Sequence, residues 1–270
     1  MNILSNKDIR AEFARLLQTQ SFTTINREAT MTNLVGNSTI EIVGASFTAD
    51  EDALFGEVNW DYVAREEAWY NSQSLSVNDF PGGAPAIWKA VADIGGFINS
   101  NYGWAIYSAS NGLIQEDDYQ IEPTRKYHNS DDCQYTRALN ELKINPESRR
   151  AVMIYTRPSM WLEYNKYGRS DFMCTNTVQY LIRNGALDAV IQMRSNDAVF
   201  GFKNDRAWQQ HVLEKLAKDL NVTPGKLTWQ VGSIHVYARH YFIVDHFAKT
   251  GEISISKEKY VELYPNSQYI

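Results

Sequence analysis

Apolar positions recur at helical and at strand spacing along the chain. Behind Asn6, the candidate N-cap, apolar residues three and four positions apart predict a first amphipathic helix. Continuous or alternating apolar segments predict strands at 39–47 and 151–155, and the patterns at 60–70 and 85–92 predict helices. The apolar positions of the first helix are Ile9, Phe13, Leu16 and Leu17.

The dipeptide Asn184-Gly185 separates two apolar segments, 178–183 and 186–193. Asn-Gly favours the two-residue hairpin turn in which both residues have positive φ, so we expect an antiparallel pair here. If pairing continues back without a bulge, the register places Cys174 opposite Ser195.

No internal repeat and no Gly/Ser- or Pro-rich linker divides the sequence, because its 15 Gly and 7 Pro are scattered. We therefore expect a single domain over residues 1–270. The polar, charged segment 108–130 has little periodicity and is typical of an inserted loop.

Composition restricts the class of protein. With 44% hydrophobic and 13% aromatic residues, the chain can bury a substantial core. A net charge of −6 argues against stable nucleic-acid binding, and the absence of a long apolar run argues against a membrane protein. We expect a cytoplasmic protein whose two cysteines, Cys133 and Cys174, are thiols, without a structural zinc site.

Two residues have the surroundings that covalent and acid–base chemistry require. Cys174 is a candidate nucleophile if Arg194 lies near enough to favour the thiolate, although a small buried apolar residue is the commoner role for cysteine. Glu66 lies three or four positions from Tyr62, Trp69 and Tyr70, so a helix places its carboxylate on an aromatic face. Burial there raises a carboxyl pKa toward neutrality.

Other polar residues allow two interpretations each. His235 and Tyr237 are two positions apart and share one face of a strand, as binding groups or as core aromatics. Arg149-Arg150 suits either an anion clamp or a solvated basic pair. Asp205 stands before an apolar helical pattern that begins at Trp208, which favours an N-cap role.

Taken together, the motifs resemble those of the thymidylate synthase superfamily, most closely its deoxycytidylate hydroxymethylase branch from T-even-type bacteriophages. The resemblance covers nearly the whole chain, and the motifs occur in the family's order. They are Glu66 to Tyr70, Ile87-Trp88, Asn101-Tyr102-Gly103, Asn145 to Arg150, Asp171 to Thr177, Arg194 to Asp197, Asn204-Asp205 and Gly232 to Tyr237.

The resemblance implies an α+β fold with a large mixed, twisted sheet flanked by helices, in a homodimer packed sheet to sheet. It implies that Arg149 and Arg150 are donated across the dimer interface to the nucleotide phosphate. Arg194 and Ser195 would bind that phosphate from the same chain, with Arg27 as a further candidate. His235 and Tyr237 would bind the sugar hydroxyl.

The resemblance also implies a one-carbon transfer from 5,10-methylenetetrahydrofolate to C5 of a pyrimidine nucleotide, with no metal. Cys174 would add to C6, and Glu66 would assist proton movements. Asp205 stands where uracil-specific members carry Asn; a carboxylate accepts hydrogen bonds from the exocyclic amine and protonated N3 of cytosine, which favours dCMP. The residues matching the folate site are Trp88, Asp197, Ile87, Tyr102 and Gly201.

From the resemblance we predict hydroxymethylation of dCMP, with rivals that differ in the product or in the class of function. Water quenching of the exocyclic methylene gives 5-hydroxymethyl-dCMP, for modified phage DNA, whereas hydride transfer gives 5-methyl-dCMP and dihydrofolate. Val91 replaces a folate-side tryptophan usual in thymidylate synthases, which is compatible with entry of water. A CMP hydroxymethylase is a further rival, and so is a catalytically silent nucleotide- or RNA-binding relative.

Overall fold

The computed structural model of the chain describes residues 4–24, 38–108 and 133–270. The described residues cluster into two compact units. The first unit contains the described residues up to Asn59, together with Gln192–His211 and Lys226–Ile270. The second unit contains the described residues of Trp60–Ile191 and Val212–Gly225.

Strands and helices alternate irregularly along the described residues, as expected for an α+β protein. The strands are β1 (Leu4–Ser5), β2 (Thr23–Thr24), β3 (Ser38–Thr48), β4 (Val152–Ile154), β5 (Thr175–Arg183), β6 (Ala186–Asp197) and β7 (Thr223–Tyr237). The helices are α1 (Asn6–Gln18), α2 (Trp60–Ser72), α3 (Ala86–Val91), α4 (Tyr102–Tyr107), α5 (Gln134–Ile144), α6 (Met160–Glu163), α7 (Gly201–Leu220), α8 (Tyr241–Thr250) and α9 (Lys257–Leu263).

In the first unit, the strand order is β1-β3-β7-β6, with β2 pairing to β3. Strand β1 is parallel to β3, whereas β2 and β7 are antiparallel to it, so the predicted mixed sheet is confirmed. The register pairs Glu41 with His235 and Thr39 with Tyr237. Alternation along β7 therefore directs His235 and Tyr237 to one face of the sheet.

Helix α1 contacts α8 and β3 in the first unit through the apolar stripe that its spacing predicts. Phe13 is fully buried, and its ring meets Phe55 edge to face at 6.0 Å. The N-cap is Ser5, whose backbone N–H donates to Asp8 Oδ2 over 2.8 Å. The prediction of Asn6 as the cap is wrong, because Asn6 is already helical and its buried amide donates to the carbonyl oxygens of residues 51 and 53.

In the second unit, the strand order is β6-β5-β4, and β4 runs antiparallel to β5. The predicted hairpin is confirmed, with Asn184 at φ 51° and Gly185 at φ 79° between β5 and β6. Both residues adopt the left-handed region that a type I′ turn requires. Alternate positions are buried, as the apolar pattern indicates: Val178, Tyr180, Leu187, Ala189 and Ile191.

Helix α2 packs against α4 in the second unit because α4 carries Gly103 at the contact. A Cβ atom at Gly103 would lie 1.8 Å from the backbone oxygen of Tyr70, so only glycine allows this approach. The predicted helices at 60–70 and 85–92 and the predicted strands at 39–47 and 151–155 are confirmed as α2, α3, β3 and β4.

Parts of two predictions lie outside the described residues. They are the inserted loop at 108–130, apart from Ser108, and the phosphate-binding role of Arg27. Within the described ranges, no helix combines the length and apolar character needed to cross a lipid bilayer.

Candidate active site

Glu66 is buried on α2 in the second unit, with only 5% of its surface exposed. Tyr62, one turn earlier, donates its hydroxyl proton to Glu66 Oε1 over 2.6 Å. Burial raises the pKa of Glu66 to about 7, although hydrogen bonds from Tyr62 and Trp88 act in the opposite direction. The predicted desolvation is confirmed, and a carboxyl group with this pKa can both accept and donate a proton near neutral pH.

Aromatic rings surround this part of α2. The Trp69 ring lies 5.4 Å from Phe80 and 5.6 Å from Trp88, and Tyr62 stacks on Phe80 at 5.8 Å. Spacing along the helix predicts the aromatic residues of α2, but Phe80 and Trp88 come from later segments. Because these rings displace water, they account for the desolvation of Glu66.

Cys174 immediately precedes β5 in the second unit and is half-buried. Three residues earlier, the buried Asp171 accepts hydrogen bonds from the backbone nitrogens of Asn99 and Ser100, over 2.6 and 2.9 Å. The Ser100 hydroxyl donates to the same carboxylate over 2.7 Å. Burial raises the pKa of Asp171, and these hydrogen bonds oppose that effect. Asp171 thus ties the segment of the candidate nucleophile to the segment that precedes Tyr102.

Tyr102 is the first residue of α4, and Asn101 caps this helix. The Asn101 Oδ1 atom accepts from the backbone nitrogen of Trp104 over 2.7 Å, and its Nδ2 atom donates to the carbonyl oxygen of Trp69 over 2.9 Å. Tyr102 is buried, and its ring stacks on Tyr70 at 5.2 Å. The Asn-Tyr-Gly motif therefore joins α4 to α2, the helix that carries Glu66.

Asp205 lies inside α7, which begins at Gly201, so the N-cap prediction for Asp205 is wrong. Asp197 is the carboxylate before the helix, and its Oδ1 atom accepts from the backbone nitrogens of Val199 and Phe200, over 2.8 and 3.4 Å. The apolar pattern of this helix begins at Trp208, but the helix itself begins about two turns earlier. Asp205 therefore presents its side chain from a helical position and does not cap the helix.

A polar chain orients the Asp205 carboxylate in the first unit. Asn196 Nδ2 donates to Asp205 Oδ2 over 2.7 Å, and Trp229 Nε1 donates to Asn196 Oδ1 over 3.2 Å. Since an indole N–H can only donate, it fixes which end of the amide faces Asp205. A Cβ atom at Gly201 would lie 3.1 Å from Asn196 Nδ2, so a glycine suits this close approach.

The C-terminal ends of β6 and β7 supply further candidate groups to the first unit. Arg194 is exposed and Ser195 is half-buried on β6. The rings of His235 and Tyr237 lie 4.8 Å apart on β7, which confirms that they share a face. A Cβ atom at Gly232 would lie 2.9 Å from the carbonyl oxygen of Arg194, so glycine permits close approach of the two strands.

Arg149 and Arg150 are exposed residues of the second unit, just before β4. The Arg150 guanidinium pairs with Glu141 at 2.9 Å, and its side chain is 77% exposed. Both arginines can therefore reach a group outside their own chain. Their donation to a partner subunit stays a prediction.

Three residues have roles in the structure that no sequence pattern predicted. They are Tyr62 as a hydrogen-bond donor, Asp171 as a link between segments, and Asn196 as the neighbour of Asp205. A sequence signal exists for Tyr62, because it lies four positions before Glu66 on a helix. Among the described residues, no group of three or more His, Cys, Asp and Glu side chains is arranged to hold a metal ion.

The chain is similar to known proteins over most of its length. The thymidylate synthase family model matches residues 23–257. The chain is 54% identical over 236 residues to deoxycytidylate 5-hydroxymethyltransferase of Enterobacteria phage T4, which covers 85% of this chain and 88% of that protein. The phage T2 protein of the same name is 53% identical over 232 residues, covering 83% and 86%. The solved structure of thermostable thymidylate synthase A from Bacillus subtilis superposes with a TM-score of 0.66 over 91% of this chain and 84% of that one, at 18% identity, and so shares the fold.

Proposed function

Since the chain belongs to the thymidylate synthase family, we propose that it transfers a one-carbon unit from methylenetetrahydrofolate to C5 of dCMP and quenches it with water. The product is 5-hydroxymethyl-dCMP, a precursor for modified phage DNA. The observation that carries this proposal is the 54% identity to the phage T4 deoxycytidylate 5-hydroxymethyltransferase across most of both chains.

The surroundings of Asp205 support cytosine as the base. Because Asn196 presents its amide N–H to Asp205, the aspartate side chain is held as a hydrogen-bond acceptor. A carboxylate acceptor matches the exocyclic amine and a protonated N3 of cytosine, whereas uracil presents a carbonyl oxygen at the first of these positions. Asp205 selects dCMP over dUMP and helps the ring accept electrons.

Cys174 and Glu66 perform the covalent and proton-transfer steps. The Cys174 thiolate adds to C6 of the pyrimidine, which makes C5 nucleophilic. C5 then bonds to the methylene carbon of methylenetetrahydrofolate as one of the two bonds from that carbon to nitrogen breaks. Glu66 assists removal of the C5 proton, which leaves an exocyclic methylene group when the nitrogen of tetrahydrofolate departs. Water adds to this methylene, and elimination of Cys174 releases the hydroxymethyl nucleotide. Tetrahydrofolate leaves without being oxidised.

The remaining candidate residues hold the nucleotide. Arg194 and Ser195 bind the phosphate, and Arg149 and Arg150 reach the same phosphate from the partner subunit of a homodimer. Arg27 contributes to phosphate binding from the same chain. His235 and Tyr237 bind the sugar 3′-hydroxyl group from their shared face of β7.

A flat co-substrate fits the residues assigned to the folate side. Ile87 is 64% exposed and the neighbouring Trp88 is half-buried, so α3 offers an apolar surface against which a planar ring can lie. Asp197, Tyr102 and Gly201 complete the folate-binding set. Methylenetetrahydrofolate supplies the one-carbon unit, and the protein supplies its orientation and the access of water.

Absorbance measurements that follow dihydrofolate test the fate of the one-carbon unit. With dCMP and methylenetetrahydrofolate, we expect the nucleotide to be consumed without formation of dihydrofolate. Dihydrofolate formed in step with dCMP consumption would instead identify a dCMP 5-methyltransferase. Consumption of CMP in preference to dCMP would identify a ribonucleotide hydroxymethylase.

A further inference from the structure

The Tyr62 hydroxyl joins Glu66 to Trp88 by two hydrogen bonds. Trp88 Nε1 donates to the Tyr62 oxygen over 3.2 Å, and the Tyr62 hydroxyl donates to Glu66 Oε1 over 2.6 Å. The indole nitrogen can only donate, so the Tyr62 oxygen is the acceptor in the bond from Trp88. The phenolic proton of Tyr62 therefore points toward the Glu66 carboxylate.

Packing holds the Tyr62 ring in this position. Tyr62 and Glu66 are four residues apart on α2 and so lie on the same helical face. The Tyr62 ring stacks on Phe80 at an interplanar angle of 27°. The guanidinium of Arg65, which pairs with Asp61 over 3.0 Å, lies 5.8 Å from the centre of the Tyr62 ring. The hydroxyl therefore has a defined location relative to both of its partners.

We propose that Tyr62 is a positioning residue, which holds the Glu66 carboxylate in place. Through its two hydrogen bonds, a change in the position of the Trp88 indole also changes the hydrogen bond that Glu66 receives. The role of Tyr62 in catalysis rests on the proposed function. There, Trp88 contacts the one-carbon donor and Glu66 moves the proton. Tyr62 thereby couples binding of the co-substrate to the acid–base group.

The coupling has a simple physical basis. A hydroxyl that accepts a hydrogen bond becomes a stronger donor, so the bond from Trp88 strengthens the bond from Tyr62 to Glu66. A stronger donor favours the ionised carboxylate and opposes the effect of burial on its pKa. Movement of Trp88 when a planar ring binds therefore changes the proton affinity of Glu66.

Infrared titration tests the coupling without requiring turnover. The carbonyl band of protonated Glu66 is followed against pH and assigned by its loss in Glu66→Gln. Removing the hydroxyl with Tyr62→Phe should raise the midpoint by roughly one to two pH units, the effect expected when a carboxylate loses a charge-assisted hydrogen bond. An unchanged midpoint in a folded Tyr62→Phe variant would overturn the proposal.

Trp88→Phe provides a second variant and a double-mutant cycle. Trp88 also acts on Glu66 through a hydrogen bond of its own, so we expect Trp88→Phe to raise the midpoint in both backgrounds. The rise should be larger in the wild-type background than in the Tyr62→Phe background, because there Tyr62 transmits a further part of the effect. If the shifts of the two single variants simply add in the double variant, Tyr62 does not transmit the effect of Trp88 to Glu66. Tyr135→Phe is the matched control, since it removes a phenol hydrogen bond to Asp219 of 2.7 Å and should leave the Glu66 midpoint unchanged.

A pH–rate profile then separates the two proposals. With dCMP as substrate, the profile of Tyr62→Phe should move in the same direction as the infrared midpoint, whereas a purely structural role would lower the rate equally at every pH. If wild-type protein turns over dCMP and neither measurement shifts, the role of Tyr62 is wrong. If the midpoint shifts but wild-type protein has no turnover, the coupling holds and the proposed function fails.

Discussion

Asn196 donates its side-chain N–H to Asp205 Oδ2 over 2.7 Å, and this bond holds the Asp205 carboxylate in one orientation. Trp229 fixes the orientation of the amide by donating to its oxygen over 3.2 Å. Asn196 itself is 2% exposed, so exchange of its two ends would leave buried polar groups without partners. The Asp205 carboxylate thus stays a hydrogen-bond acceptor, as the proposed reading of cytosine requires.

Asp205→Asn should shift the preference from dCMP toward dUMP. An amide can donate to the O4 atom of uracil, but it leaves the cytosine amine poorly matched. We expect the ratio of kcat/KM for dCMP over dUMP to fall by roughly 10- to 100-fold, the cost of a mismatched buried hydrogen bond. Asp219→Asn is the matched control, because Asp219 is also on α7 but binds Tyr135. Equal ratios in wild-type protein and Asp205→Asn would refute base reading by Asp205.

Cys174→Ser should reduce turnover to the background of the assay while leaving the fold intact, because a hydroxyl is a far weaker nucleophile than a thiolate. Mass spectrometry with 5-fluoro-dCMP and methylenetetrahydrofolate should detect a covalent adduct in wild-type protein, since fluorine cannot leave C5 as a proton does. Cys133→Ser is the control, because it changes the other cysteine of the chain, a buried thiol that contacts Thr136. It should leave turnover and the adduct unchanged. Ordinary turnover by Cys174→Ser would exclude the covalent mechanism.

Glu66→Gln should change stability in a pH-dependent manner. Since folding raises the pKa of Glu66 from 4.5 to about 7, the folded state binds the proton more tightly than the unfolded state. The stabilisation that comes from this tighter proton binding by Glu66 is fully present below pH 4.5 and is lost as pH rises through 7. We therefore compare the free energy of unfolding of Glu66→Gln with that of wild type at each pH. This difference should move by about 3 kcal/mol in favour of Glu66→Gln between acidic pH and pH 8.

Urea unfolding across this pH range measures the gain. A difference in the free energy of unfolding between Glu66→Gln and wild type that stays constant with pH would contradict the buried, titrating carboxylate.

In turnover assays, the same substitution should lower kcat by roughly 100- to 10,000-fold, the usual contribution of a general acid–base group.

Subunit complementation tests the donated arginines. If Arg150 serves the active site of the partner, Arg150→Ala and Cys174→Ser are each inactive as homodimers. A mixed dimer then contains one site with both Cys174 and Arg150, so mixing the two variants should restore part of the activity. Activity that stays at background after subunit exchange, verified by mass spectrometry of mixed dimers, would place Arg150 in its own subunit's site or in none.

Local elements follow directly from the sequence, because each depends on short-range patterns. The Asn184-Gly185 turn and the shared face of His235 and Tyr237 are examples. The buried state of Glu66 was predictable in part from its helical spacing to aromatic residues. The rings of Phe80 and Trp88, which complete its surroundings, are brought in by chain segments that no local pattern relates to α2.

The errors have a common physical origin. The caps assigned to Asn6 and Asp205 rest on residue preference, but tertiary hydrogen bonds recruit both side chains elsewhere. Asp171 carries no local signal, because its partners Asn99 and Ser100 lie 72 and 71 positions earlier in the chain. Long-range hydrogen bonds of this kind leave no periodic pattern in a sequence.

Tritium release from C5-labelled dCMP, with the mass of the nucleotide product measured in the same reaction, tests the central claim most directly. The proposed function predicts release that depends on methylenetetrahydrofolate and a product carrying a hydroxymethyl group, with slower release from dUMP and CMP. A methyl product accompanied by dihydrofolate, or no release from any of the three nucleotides, would contradict it.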